Sequence, residues 1–240
     1  MDKKDIEEVR LNRFIAMCGI CSRRKADSLI QQGLVRVNKK VIVALGYRVR
    51  LTDFVEVNGQ QIYIENNQYL LLNKPKGYIT TMSDEKNRLT VVELINNACQ
   101  ERLFPVGRLD KETTGLLLFT NDGILAKKLM HPKYNVKKTY NVFLNKNLSK
   151  PHFLKIIQGL HLDDGFVRAD KLNYLNDSKR NLQIEIHVGK NRIVRRIFSF
   201  LGYEVQGLDR CMYSILTKKK LPLGKWRMLT SKELNFFKTL

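Results

Sequence analysis

The chain has 240 residues, which fits one large domain or a large domain with a small one, and its hydrophobic fraction of 43% is enough for a buried core. Its 43 Lys and Arg residues against 23 Asp and Glu residues give a net charge of +20, which favours nucleic acid as partner over a merely solvated basic surface. No apolar run approaches about 18 residues and the charged N-terminus has no signal-peptide core, so we expect a cytoplasmic protein without membrane spans.

The first sixty residues predict two short helices followed by short strands. Apolar residues at helical spacing predict a helix over residues 11–18. Ser22 has the chemistry of an N-cap for a second helix, which Gly33 would end. Residues 34–42, LVRVNKKVI, alternate as a strand, a polar turn and a strand, and residues 48–62 repeat the pattern around an Asn-Gly turn.

Basic side chains are concentrated in this N-terminal part, and two helices joined by a Gly-containing turn are typical of a DNA-binding helix-turn-helix. The hairpin directly after them favours another assignment. Residues 10–38, RLNRFIAMCGICSRRKADSLIQQGLVRVN, resemble the alpha-L RNA-binding module found in a small-subunit ribosomal protein and in several RNA-modifying enzymes, and the resemblance covers about residues 9–66. We therefore predict RNA contacts from Arg13, Arg23, Arg24, Lys25 and Arg36.

Four cysteines are spread along the chain, and two of them, Cys18 and Cys21, have the CxxC spacing of some zinc and redox sites. A structural zinc site needs four ligands, and the sequence has no second CxxC or HxxxH pair. We interpret both residues as small buried apolar side chains, and we expect no disulfide and no metal site.

A polar stretch at residues 60–68, QQIYIENNQ, predicts the boundary between an RNA-binding domain of residues 1–66 and a second domain of residues 67–240. Beyond it, YLLLNKP, LLLFT, KTYNVFL and LQIEIHV read as strands. Helices are predicted at residues 90–98, 123–130 and 192–202. Strands outnumber helices and do not alternate with them strictly, which favours an α+β fold over a doubly wound one.

The stretch 107–123, GRLDKETTGLLLFTNDG, places Asp110 on a loop that leads into a buried strand. Loops held by a rigid sheet commonly carry chemistry, but composition alone favours an Asp110 that caps a turn or pairs with Arg108. Three arginines, 192, 195 and 196, lie opposite the apolar face of a predicted helix, with Asn191 as its cap. Such a face suits phosphates or a carboxylate partner, and the alternative is a solvated charged surface.

These motifs, in their order along the chain, resemble the signature of the RsuA- and RluB-type pseudouridine synthases, which modify ribosomal RNA. The resemblance covers nearly the whole chain and implies a mixed, mainly antiparallel sheet in the second domain. It rests on the stretch around Asp110 and on five further motifs: NKPKGY (73–78), KKTYNV (137–142), GKNRIVRRIF (189–198), GYEVQGLDR (202–210) and LPLGKWRMLT (221–230).

The resemblance also implies roles for individual residues. Asp110 falls on the catalytic aspartate, Tyr140 on the tyrosine that stacks on the target base, and Arg195 on the basic partner of the aspartate. The cleft and its RNA contacts would involve Lys74, Arg108, Arg192 and Arg196. The chain departs from the family's usual Glu, Arg and Gln at Val188, Lys190 and Ile193, which concerns local RNA contacts more than catalysis.

The implied reaction turns uridine into pseudouridine, and it neither adds nor removes atoms. We therefore expect no cofactor, and the sequence contains no GxGxxG or GxxxxGK[ST] motif. The residues of these motifs resemble those of large-subunit enzymes more than those of small-subunit enzymes, so we expect 23S rRNA and not 16S rRNA as the substrate. We expect a monomer that acts on free rRNA or on a ribosomal-subunit precursor. One alternative is a non-catalytic ribosome-assembly factor. The other is a DNA-binding regulator, but that function would leave most of the chain without a role.

Overall fold

The computed structural model describes residues 8–239, which form two compact units. The first unit runs to Gln68 and includes Cys99–Leu103, and the second comprises Tyr69–Ala98 and the chain from Phe104 onward. Among the helices of residues 8–239, none has both the length and the apolar character that crossing a bilayer requires.

The first unit has the predicted pair of helices followed by short strands. Ser22 caps the second helix by accepting a hydrogen bond from the Lys25 backbone N–H, and Asn58 and Gly59 both adopt positive φ in the predicted turn. Strand β1 pairs with β4, and the other strands form a sheet in the order β3-β2-β5-β6. The elements are β1 (Glu8–Arg10), α1 (Leu11–Met17), α2 (Arg23–Gln31), β2 (Val35–Val37), β3 (Lys40–Val41), β4 (Arg48–Arg50), β5 (Val55–Val57) and β6 (Gln60–Gln61).

The second unit is built on one sheet of nine strands flanked by helices. Its strands are β7 (Tyr69–Lys74), β8 (Phe104–Pro105), β9 (Thr114–Thr120), β10 (Lys138–Leu144), β13 (Lys171–Tyr174), β14 (Asn181–Ile186), β15 (Val205–Tyr213), β16 (Leu216–Thr217) and β17 (Trp226–Met228). A separate hairpin contains β11 (Leu160–Leu162) and β12 (Gly165–Val167). The helices are α3 (Gly123–Met130), α4 (Lys150–Gln158), α5 (Ile193–Phe200), α6 (Ser231–Lys238) and a short 3-10 turn (Pro132–Tyr134).

The order of the main sheet is β13-β14-β10-β15-β9-β7-β17, and only the β9–β15 pair of its named strands is parallel. The predicted α+β fold with a mixed, mainly antiparallel sheet is therefore confirmed. Burial follows position in the sheet. Central β9 is buried from Gly115 to Thr120, whereas β14, nearer the edge, alternates between buried and half-buried residues.

Gly115 brings β9 directly against β15. Its φ is +107°, and a β-carbon on this residue would overlap the backbone carbonyl of Arg210. Only glycine combines this backbone conformation with such a close approach of two strands. The strand that follows the Asp110 loop is therefore fixed in the middle of the sheet.

Two local predictions were wrong. Residues 90–98 form successive turns with hydrogen bonds between residues three apart, because Thr90 and Glu93 bond each other but the β-branched and Asn-rich stretch does not extend into a helix. The cap of α5 is Arg192 rather than Asn191, and Arg192 caps with its backbone in a left-handed conformation. The strand Gln60–Gln61 is the second half of the hairpin predicted over residues 48–62, and residues 62–68 after it have no regular structure.

Candidate active site

A cavity of about 890 Å³ lies within the second unit, and this volume can enclose a nucleotide. Its walls come from segments that are far apart in the sequence. They are residues 79–82, most of the segment 104–113, the end of α3, the first half of β10, residues 188–194 and the second half of β15. Asp110 and Tyr140 both line this cavity, so the structure brings together the two residues that the sequence singled out.

Lys74, the last residue of β7, holds the backbone of the Asp110 loop. Its Nζ, which has three N–H donors, lies within hydrogen-bond distance of four carbonyl oxygens, those of Pro75 at 3.0 Å, Asp110 at 3.1 Å, Lys111 at 3.3 Å and Thr113 at 2.8 Å. Because one ammonium group satisfies several carbonyls of a tight loop, the loop has a fixed path into β9.

The predicted RNA contact of Lys74 does not agree with this geometry. The residue has 0% of its surface exposed, so no RNA phosphate can reach it. Burial also lowers the pKa of Lys74 from 10.5 to about 8, and the nearby carboxylates of Glu112 and Asp110 oppose that shift. Lys74 is therefore a positioning residue for the loop.

The carboxylate of Asp110 lies between two arginines. Arg192 Nη1 donates to Asp110 Oδ2 at 3.0 Å, and Arg195 Nε lies 3.8 Å from the same oxygen. The side chain of Arg192 is 51% exposed, whereas that of Arg195 is 17% exposed and anchored by a 2.7 Å hydrogen bond from Nη1 to the Val205 carbonyl. Burial lowers the pKa of Arg195. The predicted partner is thus beside the aspartate, but Arg192, assigned to RNA contacts, makes the hydrogen bond.

Tyr140 lies on β10 with only 9% of its surface exposed, and it lines the cavity that Asp110 also borders. It is paired in register with Arg210 on the neighbouring strand β15. Directly paired residues of an antiparallel ladder point to the same face of the sheet, so the ring and the guanidinium share one wall.

Two basic cavity residues, Lys138 and Arg210, were not singled out from the sequence. Lys138 precedes Tyr140 by two residues, a spacing that places both side chains on one face of a strand and could have indicated it. Arg210 was within a recognised motif, but nothing in the motif shows that the residue is buried.

The remaining predicted RNA-binding residues differ in whether their side chains already have hydrogen-bond or ion-pair partners. Arg108 is exposed at the rim of the cavity. Arg196 instead binds both carboxylate oxygens of Asp164 at 2.8 Å. Within the part of the chain that the structure describes, no hydrogen bond or ion pair engages the side chains of the five residues predicted to bind RNA in the first unit, Arg13, Arg23, Arg24, Lys25 and Arg36.

The cysteines are free thiols in the structure, and burial raises the pKa of Cys18 to about 12, as befits a core side chain. Residues 8–239 contain no cluster of three or more His, Cys, Asp or Glu side chains placed to hold a metal ion.

Comparison with known proteins gives matches along nearly the whole chain. The RNA pseudouridylate synthase family matches residues 68–200, and the S4 domain family matches residues 9–55. The ribosomal large subunit pseudouridine synthase B of Bacillus subtilis (strain 168) is 42% identical over 235 residues, which are 96% of each chain. The dual-specificity RNA pseudouridine synthase RluF of Escherichia coli (strain K12) is 35% identical over 229 residues, covering 94% of this chain and 77% of that one. A solved pseudouridylate synthase aligns with a TM-score of 0.68 at 28% identity, over 95% of this chain and 99% of that one.

Proposed function

The chain belongs to the RNA pseudouridine synthase family, and we propose that it isomerises a specific uridine of large-subunit (23S) ribosomal RNA with Asp110 as its catalytic residue. The observation that carries the proposal is the position of the Asp110 carboxylate. It borders a nucleotide-sized cavity, next to two arginines, on a loop whose backbone Lys74 holds.

The chemistry begins with cleavage of the bond between C1′ of the ribose and N1 of uracil, and carboxylates are the usual protein groups for glycosidic bonds. The carboxylate of Asp110 either bonds to C1′ or removes the C2′ proton to give a glycal, and N1 leaves with the electron pair. The base then turns and C5 bonds to C1′. In the first route this breaks the bond between Asp110 and C1′, and in the second Asp110 returns its proton to C2′. C5 finally loses its proton and N1 gains one, so that uridine and pseudouridine have the same composition.

The cavity can admit the base only after the nucleotide leaves its helical stack, which costs a few kcal/mol. Stacking of a base on an aromatic ring contributes roughly 1–3 kcal/mol. We assign this role to Tyr140, because its ring lies in the cavity wall and is otherwise enclosed.

Affinity for RNA would come largely from the first unit, the S4 domain, which we propose to function as a domain of residues 1–66 next to a catalytic domain of residues 67–240. Arg23, Arg24 and Lys25 form the exposed first turn of α2, and Arg36 projects from the exposed face of β2. Contacts of such side chains with phosphates release counterions, so RNA binding should weaken steeply with salt.

The choice of the large subunit is supported by the B. subtilis relative, which is named for that activity and is similar over its whole length. We propose that the protein acts as a monomer in the cytoplasm, on free rRNA or on a precursor of the subunit. The alternative substrate is 16S rRNA, and the alternative function is that of an assembly factor that binds rRNA without modifying it.

The test uses 23S and 16S rRNA labelled with tritium at C5 of uridine, because the reaction releases the C5 proton to water. We expect release from 23S rRNA with the wild-type protein and none with Asp110→Asn, which replaces the carboxylate by an amide of the same shape. Release from 16S rRNA alone would refute the choice of subunit. RNA binding without release from free rRNA and from subunit precursors would refute catalysis and favour the assembly factor.

A further inference from the structure

A buried cation, Arg210, and a half-buried one, Lys138, line the cavity without an acidic partner among the described residues. Arg210 is only 3% exposed, and its Nε donates to the Leu116 carbonyl at 2.7 Å, but its buried Nη2 has no hydrogen-bond partner. Lys138 makes a single contact, from Nζ to the His187 carbonyl at 3.2 Å. A buried charge is normally paired, so the unpartnered Arg210 Nη2, in a cavity that the half-buried Lys138 also lines, calls for an anionic or strongly polar ligand.

The two side chains belong to neighbouring strands and face the same space. Lys138 pairs in register with Tyr213, and the Arg210 guanidinium lies 5.0 Å from the centre of the Tyr213 ring. Burial, and after it the charge of Arg210, lowers the pKa of Lys138 to about 8, which agrees with two cations near each other in a poorly solvated site. Both residues line the cavity together with Asp110 and Tyr140.

The proposed reaction creates an anion in this cavity. When the C1′–N1 bond breaks, uracil leaves with the electron pair, and its negative charge spreads over N1, O2 and O4. Asp110 lies on the sugar side of the reaction and carries the same charge sign, so it cannot stabilise the departing base. Cationic donors already fixed in a water-poor site are well suited to stabilise a developing anion, because they need no reorganisation when the charge appears.

Resting on the proposed function, we propose that Lys138 and Arg210 contact the carbonyl oxygens of the target uracil and stabilise the uracil anion during cleavage. Arg210 Nη2 and the Lys138 ammonium then act as catalytic groups for the leaving base, while Asp110 acts on the sugar. The same two cations could instead bind a phosphate of the RNA, which would contribute to affinity and not to the cleavage step.

The experiment compares single-turnover rates on the same rRNA with uridine or 5-fluorouridine at the target position. The rate is the disappearance of the original nucleoside from a nuclease digest. Fluorine stabilises the uracil anion and makes the base a better leaving group. The cleavage rate of the fluorinated base should therefore depend less on cations that stabilise this anion. Lys138→Met removes one cation, and Lys138→Arg retains it. The matched control is Lys137→Met, since the neighbouring Lys137 is exposed and pairs with Glu185.

We expect Lys138→Met to slow the uridine reaction by roughly 10²–10³-fold, the usual effect of removing one such donor, with unchanged RNA affinity. The loss should be at least tenfold smaller with 5-fluorouridine. Lys138→Arg should keep most of the rate, and Lys137→Met should behave as wild type. Arg210→Lys, which keeps the charge but loses Nη2, should show the same dependence on the fluorine.

Equal losses of rate on uridine and 5-fluorouridine would overturn the inference. A loss of RNA affinity at an unchanged rate would also overturn it, and would show that Lys138 and Arg210 bind a phosphate. If Lys138→Met lowers the unfolding temperature, its rate no longer tests the inference and Lys138→Arg takes its place. The Lys138→Arg protein must then keep a high rate on both substrates. A wild-type protein that converts neither base would refute the proposed function itself, and this inference with it.

Discussion

The two arginines beside Asp110 should contribute unequally to catalysis, and the structure sets the order. Arg195 Nε lies 3.8 Å from the carboxylate in a mostly buried position, which corresponds to roughly 4 kcal/mol at an effective dielectric constant of about 20, before desolvation. Its anchor on the Val205 carbonyl means that little side-chain entropy is lost. Arg192 is closer, at 3.0 Å, but it is half-exposed, and such pairs contribute about 0.5–1 kcal/mol.

Replacing Arg195 by Gln should therefore slow the single-turnover rate at saturating protein by about 30–1000-fold, corresponding to about 2–4 kcal/mol. Arg192→Gln should cost only about two- to fivefold, and a larger share of its effect should disappear at high salt. The matched control is Arg196→Gln on the same helix, because that guanidinium binds Asp164 and not Asp110. If Arg192→Gln were as damaging as Arg195→Gln, the reasoning from burial and anchoring would be wrong.

Three further outcomes follow from the structure. Gly115→Ala should destabilise the protein by more than about 3 kcal/mol in urea unfolding because of its positive φ and the overlap with β15, whereas Gly107→Ala, with open space around it, should cost about 1 kcal/mol. Lys74 carries a desolvated charge below its folded pKa of about 8, and this penalty is relieved as pH rises toward 10.5. Wild type should therefore gain up to roughly 3 kcal/mol over Lys74→Met between pH 7 and 10.5, and parallel unfolding curves at both pH values would contradict this. Arg24→Glu should weaken RNA binding and flatten its salt dependence in filter-binding titrations, unlike the exposed Lys232→Glu on α6.

The elements that could be predicted from the sequence are those whose local signals agree with their environment. Strands β7 and β9 are continuous apolar runs, and α3 has Asp122 as its cap and an apolar face. Residues 90–98 have a helix-like apolar pattern, but their β-branched residues and asparagines favour turns, and the wrong prediction followed the pattern alone.

The residues at the centre of the candidate site could be named in advance, whereas the burial and the partners of the residues around them could not. The resemblance to the pseudouridine synthases is what singled out Asp110 and Tyr140, because residue type and spacing alone would have left them as a turn residue and a strand tyrosine. The burial of Lys74 could not be predicted, because a lysine in a proline-glycine motif is normally a surface residue. Lys74 is enclosed only because β7 pairs with β9. The pairing of Asp110 with Arg192 depends on a left-handed backbone conformation at a non-glycine residue, which the sequence does not indicate.

The position of β15 between β9 and β10 has a consequence for how the protein is made. The sheet order places the strand of residues 205–213 between two strands that leave the ribosome much earlier. Until β15 has emerged, β7 and β9 have no bridge to the half-sheet of β10, β13 and β14, and contacts this distant in sequence form slowly. During synthesis the S4 domain can fold first, as N-terminal units generally do. A nascent chain would thus acquire its RNA-binding surface well before its catalytic cavity, and could already be bound to RNA when the active site closes.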